Sequence, residues 1–184
     1  MIWLIRHGET EWTVSGAHTG RSDIPLTPNG EAQALGIPER LGAKQFALVL
    51  TSPLQRARRT CELAGYGEHA QLEPNLAEWF YGDYEGRTST QIRAGRPGWS
   101  IFKDGPHGGE TLAQVAERTQ KVIERCLAVD GDVALFSHGH TLRILAASWL
   151  GLPPETAKHF ALGTAGISIL GLENETRNIT LWNR

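Results

Sequence analysis

Apolar runs with no helical period fall at Ile2–Arg6, Ala47–Leu50 and Asp132–Phe136, and each predicts a short buried strand. A weaker run at Gln71–Glu73 predicts another strand, and Ile167–Leu172 with Ile179–Trp182 predicts a terminal pair folded around Asn174. Helical patterns lie between these runs. Thr27-Pro28-Asn29-Gly30-Glu31 reads as a helix start, with Thr27 as cap and Pro28 as first helical residue. That helix should run to about Leu41, broken near Pro38, which lacks a donor and crowds the carbonyl of Ala34. Leu54–Ala64 predicts a helix stopped by Gly65. Thr111–Leu127 carries a helical stripe of Leu112, Val115, Ala116, Val122, Ile123 and Cys126. Thr141–Leu150 predicts one more helix, ended by Gly151 and the Pro153–Pro154 pair. Residues 8 to 26 lack periodicity and read as a long loop. Residues 82 to 109 are glycine-rich, carry Pro97 and Pro106, and promise helix only near 88 to 94.

Strands alternating with helices indicate an α/β fold with a mostly parallel sheet. At 184 residues, without repeat, linker or low-complexity tract, the chain reads as a single domain over 1–184. A hydrophobic content of 40% supplies a sizeable core and excludes disorder. A net charge of −2 argues against a nucleic-acid partner, so any anion site must be a local concentration of arginine. No apolar run approaches the ~20 residues of a membrane span. Ile2–Ile5 is too short for a signal peptide, so the expected location is cytoplasmic, with no membrane partner. Cys61 and Cys126 lack CxxC spacing and are expected as buried, reduced thiols.

The chemistry collects where strands end. Arg6-His7-Gly8, Thr51-Ser52-Pro53 and Ser137-His138-Gly139 each follow a predicted strand, and ligands of open α/β sheets sit at carboxyl strand ends. If these strands are neighbours, Arg6, His7 and His138 converge with Arg56 from the first turn of the following helix. The backbone donors of that turn are expected to face the same anion. Two arginines and two histidines around one point suit a doubly charged tetrahedral oxyanion, because the guanidinium fork matches two oxygens at once.

Arg6-His7-Gly8-Glu9-Thr10 resembles the R-H-G-[E/Q]-[S/T] signature of the histidine phosphatase superfamily, the phosphoglycerate-mutase-like proteins. Four further stretches agree in order: Thr19-Gly20 with Asp23 and Pro25-Leu26-Thr27; Ser52-Pro53-Leu54-Gln55-Arg56-Ala57; Leu76-Ala77-Glu78 with Gly82 and Glu85-Gly86; and Ser137-His138-Gly139. The stretches Glu78–Gly86 and Ser137–His140 are most similar to sedoheptulose-1,7-bisphosphatase-like proteins and small bacterial acid phosphatases. The resemblance implies a three-layer α/β/α fold, phosphoglycerate mutase-like, and catalysis through a phosphohistidine at His7. It implies that Arg6, Arg56 and His138 hold the equatorial oxygens and that Glu78 exchanges protons with the leaving alcohol and then water. A bound phosphate dianion is expected to favour the protonated Glu78 that this role needs. Thr13 stands where many members have a phosphate-binding asparagine, Gly139 offers a backbone N–H, and Thr19, Gly20, Tyr81 and His140 map near the substrate rim. No metal or other cofactor is implied.

The expected activity is therefore hydrolysis of small-molecule phosphate monoesters. Mutases of the family usually carry an added segment between the acid motif and a G-E-[S/T] turn, resembled here by Gly109-Glu110-Thr111. Only 22 residues (87 to 108) fill that interval, which makes a mutase the alternative. A silent phospho-ligand binder should have lost His7, Glu78 or His138, and all three are present. Arg58 and Arg59 read as a solvated helix face, while His18, His69, His107 and His159 read as surface or structural. Trp79, Trp99 and Phe102 read as packing. The protein is expected as a monomer or homodimer.

Overall fold

The computed structural model describes residues 1–42 and 44–184. Six strands form one sheet: β1 (Ile2–Arg6), β2 (Leu48–Thr51), β3 (Ala70–Leu72), β4 (Val133–Ser137), β5 (Ile167–Glu173) and β6 (Thr176–Leu181), in the order β3-β2-β4-β1-β5-β6. β3, β2, β4 and β1 run parallel, and β5 and β6 add an antiparallel edge. The terminal pair turns at Asn174 and Glu175, both with positive φ (47° and 66°). Positive φ at both central residues is what a two-residue hairpin turn of type I′ requires.

Helices α1 (Glu11–Ser15), α2 (Pro28–Leu35), α3 (Ile37–Leu41), α4 (Gln55–Leu63), α5 (Ser89–Gly95), α6 (Ile101–Asp104), α7 (Leu112–Leu127) and α8 (Gly139–Trp149) follow the chain order. The period of two along each strand divides the core into two faces. Ile2, Leu4, Leu50, Leu135 and Leu170 pack against Val122, Ile123 and Cys126 of α7 and Leu142 and Leu145 of α8. Ile5, Val49, Phe136 and Ile167 point the other way, onto Ala34 of α2, Ile37 and Leu41 of α3 and Cys61 of α4. Helices on both faces make the three-layer α/β/α arrangement that the resemblance implies. Cys61 and Cys126 lie on opposite faces as free thiols, which burial pushes up to about 12 and so keeps unreactive.

Thr27 caps α2 by accepting from the Gly30 N–H, and the helix breaks before Pro38 as expected. Three readings need correction. Residues 8 to 26 are not all loop, because Thr10 and Thr13 form a reciprocal capping box that starts α1. α8 begins at Gly139 rather than Thr141, straight from the end of β4. The glycine-rich stretch also holds a second helix, α6, beside the helix near 88 to 94. Trp79, Trp99 and Phe102 join Ile92 of α5 and Ile144 of α8 in a third apolar cluster, so they are packing residues. This cluster seats the 82 to 109 segment beside the carboxyl end of the sheet. Among the described residues no helix is long and apolar enough to cross a membrane.

Candidate active site

Strand register decides which side chains meet. Arg6 of β1 pairs with Ser137 of β4, so His7 and His138 follow at the same level on adjacent strands. Their rings stand 5.1 Å apart. β2 ends one strand further along, and Ser52 Oγ lies 2.7 Å from His138 Nε2. Ser52 Oγ accepts the Leu54 N–H, and among the described residues His138 Nε2 is the one acceptor within reach of its proton, so the hydroxyl donates to Nε2 and neutral His138 carries its own proton on Nδ1. The Nδ1 of His7 lies 2.7 Å from the Gly8 carbonyl oxygen, which can only accept. His7 Nε2 is therefore the unprotonated nitrogen, with its lone pair free for attack.

Glycines let these groups approach. A Cβ on Gly8 would fall 2.3 Å from the Gly30 oxygen, and one on Gly139 would fall 3.3 Å from Arg6 Cζ and Nε. The Arg6 guanidinium thus lies against the first turn of α8 while its Nη1 donates to Leu162 O. Arg56 is fully buried and donates to Ser22 O (2.9 Å) and Gly20 O (2.8 Å). Among the described residues, Arg6 Nε, Arg56 Nε and His138 Nδ1 are buried with no hydrogen-bond partner. Buried polar groups are rarely left in this state. Three such atoms around His7 make a cradle of donors for an oxyanion.

The titration of the site follows from burial and arginine charge. Burial first, then Arg56 and Arg6, holds His7 well below the usual histidine range, against the Gly8 hydrogen bond. Burial and Arg56 do the same to His138. Both rings are neutral at physiological pH. Burial also opposes ionisation of Glu78, but the carboxyl still sits below its ordinary value. A protonated His140 ring would favour the anion, as do the N–H groups of Trp79 and His140 and the charge of Arg56. Burial lowers His140 itself to about 3, so at neutral pH the N–H donors and Arg56 hold the carboxylate. Trp79 N, His140 N and Thr141 N reach it at 2.9, 3.2 and 3.0 Å. At neutral pH the site therefore keeps Glu78 ionised.

A cavity of about 190 Å³ opens at this point, lined by Arg6, His7, Arg56, Glu78 and Gly139. Thr13, Thr19, Tyr81 and His140 also line it. Gly20 and His138 do not: Gly20 offers its carbonyl to Arg56, and His138 is fully buried with its Nε2 against Ser52 Oγ. Thr13 gives its hydroxyl proton to Thr10 O at 2.8 Å and accepts the Thr10 N–H, so as placed it has no donor left for an anion. At the start of α4, Gln55 N is taken by Asp23 and Leu54 N by Ser52, which leaves Arg56 N, without a partner among the described residues, as the first-turn donor open to an anion. Tyr81 keeps its proton, since burial raises it well above its usual range, and the hydroxyl donates to His140 Nδ1.

Sequence reasoning missed Trp12, His18, Arg143 and Leu162, which also line the cavity. His18, read as surface or structural, is half-buried at the cavity wall: its ring lies 4.8 Å from Tyr81 and its Nε2 is 3.2 Å from Ser89 Oγ. Arg143 sits one α8 turn beyond Gly139, and only the helix start at Gly139 would have indicated its position. Arg59 pairs with Glu31 at the surface, and His107 pairs with Asp83 while largely exposed. Among the described residues no three His, Cys, Asp or Glu side chains gather as metal ligands.

Residues 2–184 match the family model described as histidine phosphatase superfamily (branch 1). The chain is 37% identical over 184 residues to an acid phosphatase of Mycobacterium tuberculosis, covering 98% of this chain and 90% of that one. It is 36% identical over 182 residues to a sedoheptulose 1,7-bisphosphatase of Saccharomyces cerevisiae, covering 81% and 67%. Probable phosphoglycerate mutases of several bacteria also match, at 31% to 33% identity. Among solved structures, a mycobacterial glucosyl-3-phosphoglycerate phosphatase complexed with VO3 superposes with a TM-score of 0.89 at 30% identity, covering 99% of this chain and 98% of that one.

Proposed function

The chain belongs to the histidine phosphatase superfamily, and from that premise we propose that it hydrolyses small-molecule phosphate monoesters through a phosphohistidine on His7. The observation that carries this reading is the free Nε2 of His7 among three unpartnered buried donors, Arg6 Nε, Arg56 Nε and His138 Nδ1. The relatives named as phosphatases support the hydrolytic outcome.

His7 Nε2 attacks phosphorus in line, forming the N–P bond as the P–O bond to the alcohol breaks. The leaving oxygen takes a proton from Glu78, so the alcohol departs neutral. Arg6, Arg56 and His138 hold the three equatorial oxygens, where transition-state charge is spread. Water then attacks phosphorus and returns one proton to Glu78. The N–P bond breaks, His7 recovers its lone pair, and inorganic phosphate leaves. Two guanidinium groups supply the positive charge at the cradle.

The test is phosphate release from p-nitrophenyl phosphate in the presence of a chelator. Protein quenched in alkaline denaturant should carry base-stable, acid-labile label on His7, and His7→Ala should abolish both label and turnover. Full turnover by His7→Ala would refute the mechanism. A mutase would instead transfer phosphate to 3-phosphoglycerate after priming with 2,3-bisphosphoglycerate, and no such transfer is expected.

A further inference from the structure

We propose that the buried Arg118–Glu110 ion pair is a positioning device for Glu78, clamping the backbone on both sides of the proton donor. This rests on the reading of Glu78 given above. Arg118 lies on α7 and Glu110 just ahead of the Thr111 cap, and their side chains are only 12% and 14% exposed. Arg118 Nε and Nη2 meet the two Glu110 oxygens at 3.0 and 3.2 Å. The third nitrogen, Nη1, turns to the acid loop and donates to Asn75 O (2.6 Å) and Ala77 O (2.7 Å).

Glu110 holds the other side of the loop. Its Oε2 accepts the Phe80 N–H at 2.9 Å, its backbone oxygen accepts Trp79 Nε1 at 2.8 Å, and its N–H donates to Phe80 O at 2.9 Å. Residues 75 and 77 are thus bound to one member of the pair, and 79 and 80 to the other. Glu78 lies between these attachments and lines the cleft.

The acid reaches its target only if both ends of this short stretch are fixed. Its carboxylate is held by α8 through His140 N and Thr141 N, and its backbone by α7 through the pair. The residue three positions before Glu78 and the residue two after it are joined by one bidentate contact. An ion pair that served stability alone would have no need to spend its third guanidinium nitrogen on Asn75 O and Ala77 O and a carboxylate oxygen on Phe80 N, on both sides of one catalytic group. A lysine at 118 could neutralise Glu110 but could not fork to it and also reach two carbonyls, because its ammonium is a single point.

The readout that separates positioning from a merely structural role is dependence on the leaving group. Alkyl alcohols need the Glu78 proton to depart, whereas p-nitrophenolate leaves without it. The experiment measures kcat/KM, which reports the phosphorylation step, for alkyl phosphates and p-nitrophenyl phosphate. Wild type, Arg118→Lys and Glu110→Gln are compared with Glu78→Gln as reference, and folding is checked by thermal melting. Glu78→Gln should lose ~10²–10⁴ on alkyl phosphates, the usual worth of a general acid, and far less on the nitrophenyl ester. Arg118→Lys and Glu110→Gln should show the same pattern in reduced form, with losses of roughly tenfold or more on alkyl phosphates and within about threefold on the nitrophenyl ester. Equal losses on both substrates, or none on either, would overturn the proposal. Should Arg118→Lys fail to fold, Glu110→Gln decides, since its amide keeps the shape and one acceptor. A wild type inactive on both substrates would refute the phosphatase reading itself and the brace with it.

Discussion

The Gly8 carbonyl fixes the tautomer of His7, and Ser52 does the same for His138. Both are single hydrogen bonds with large leverage, because the opposite ring nitrogen faces the chemistry. Replacing Ser52 by Ala should leave His138 free to carry its proton on Nε2, which withdraws a donor from the cradle. One lost hydrogen bond of about 1 kcal/mol corresponds to roughly fivefold weaker inhibition by inorganic phosphate, measured as Ki. An unchanged Ki would show that the serine does not set the tautomer. The pH profile follows from the directions of shift. His7, held well below its ordinary range, stays a neutral nucleophile in mildly acidic solution, while Glu78 is already ionised there. The productive complex therefore needs a proton that enters with the monoanionic ester, whose second ionisation lies at about pH 6. Accordingly kcat/KM should be highest on the acid side of about pH 6 and fall close to tenfold per unit above it. A maximum near pH 8 would contradict this. At this scale Arg6, His7, Arg56, Glu78 and His138 were legible because they follow strand ends or sit in ordered motifs. Thr13 and His18 were not: the hydrogen bonds that commit Thr13, and the Tyr81 and Ser89 neighbours that bury His18, appear only in the fold.

Elements recognised from their own residues were the ones with caps and long apolar stripes. Thr111 and Gln114 close a capping box at the start of α7, and the stripe behind them fills the core. Thr111→Ala should cost about 1 kcal/mol, which in a domain of this size lowers Tm by about 2–4 °C. Thermal melting checks this, and an unchanged Tm would mean the box carries no net stability. α1 escaped detection because five residues cannot show a period and its capping box closes through Thr13 rather than Glu or Gln. The start of α8 escaped for a different reason. His138 makes no side-chain cap, and the N–H groups of His140 and Thr141 are satisfied by the carboxylate of Glu78, some sixty residues earlier in the chain. Such a cap is invisible to any local rule.

Across the whole molecule, the neutral interior of the site makes stability depend on acidity. His7, His138 and His140 have folded-state values below the ordinary histidine value of 6.5, so below that pH the unfolded chain binds more protons than the native one. Stability therefore falls as pH drops below 6.5, by up to about 1.4 kcal/mol per unit for each ring, continuing for His140 to about 3. Glu78, also depressed, acts in the same direction at lower pH. Urea unfolding should show a clearly lower midpoint at pH 5.5 than at pH 7.5, and equal midpoints would refute the assignment. Acid thus favours the chemistry while it weakens the fold, and the working range is bounded on that side by stability.

The sequence by itself determined the buried strands, the longer helices, the Thr27 cap and the reactive groups at three strand ends. These depend on spacing within a few residues, which the periods of strand and helix translate directly into faces and ends. The tertiary structure decided the rest. It aligned β1 with β4 so that two imidazoles meet, and it seated residues 82 to 109 on their own aromatic cluster. It also brought Arg143 and Leu162 to the cavity wall and chose which donors remain free. Each of those outcomes is a contact between residues far apart in the chain. Such contacts are settled by register and by competition for hydrogen bonds, and neither is written in any local stretch.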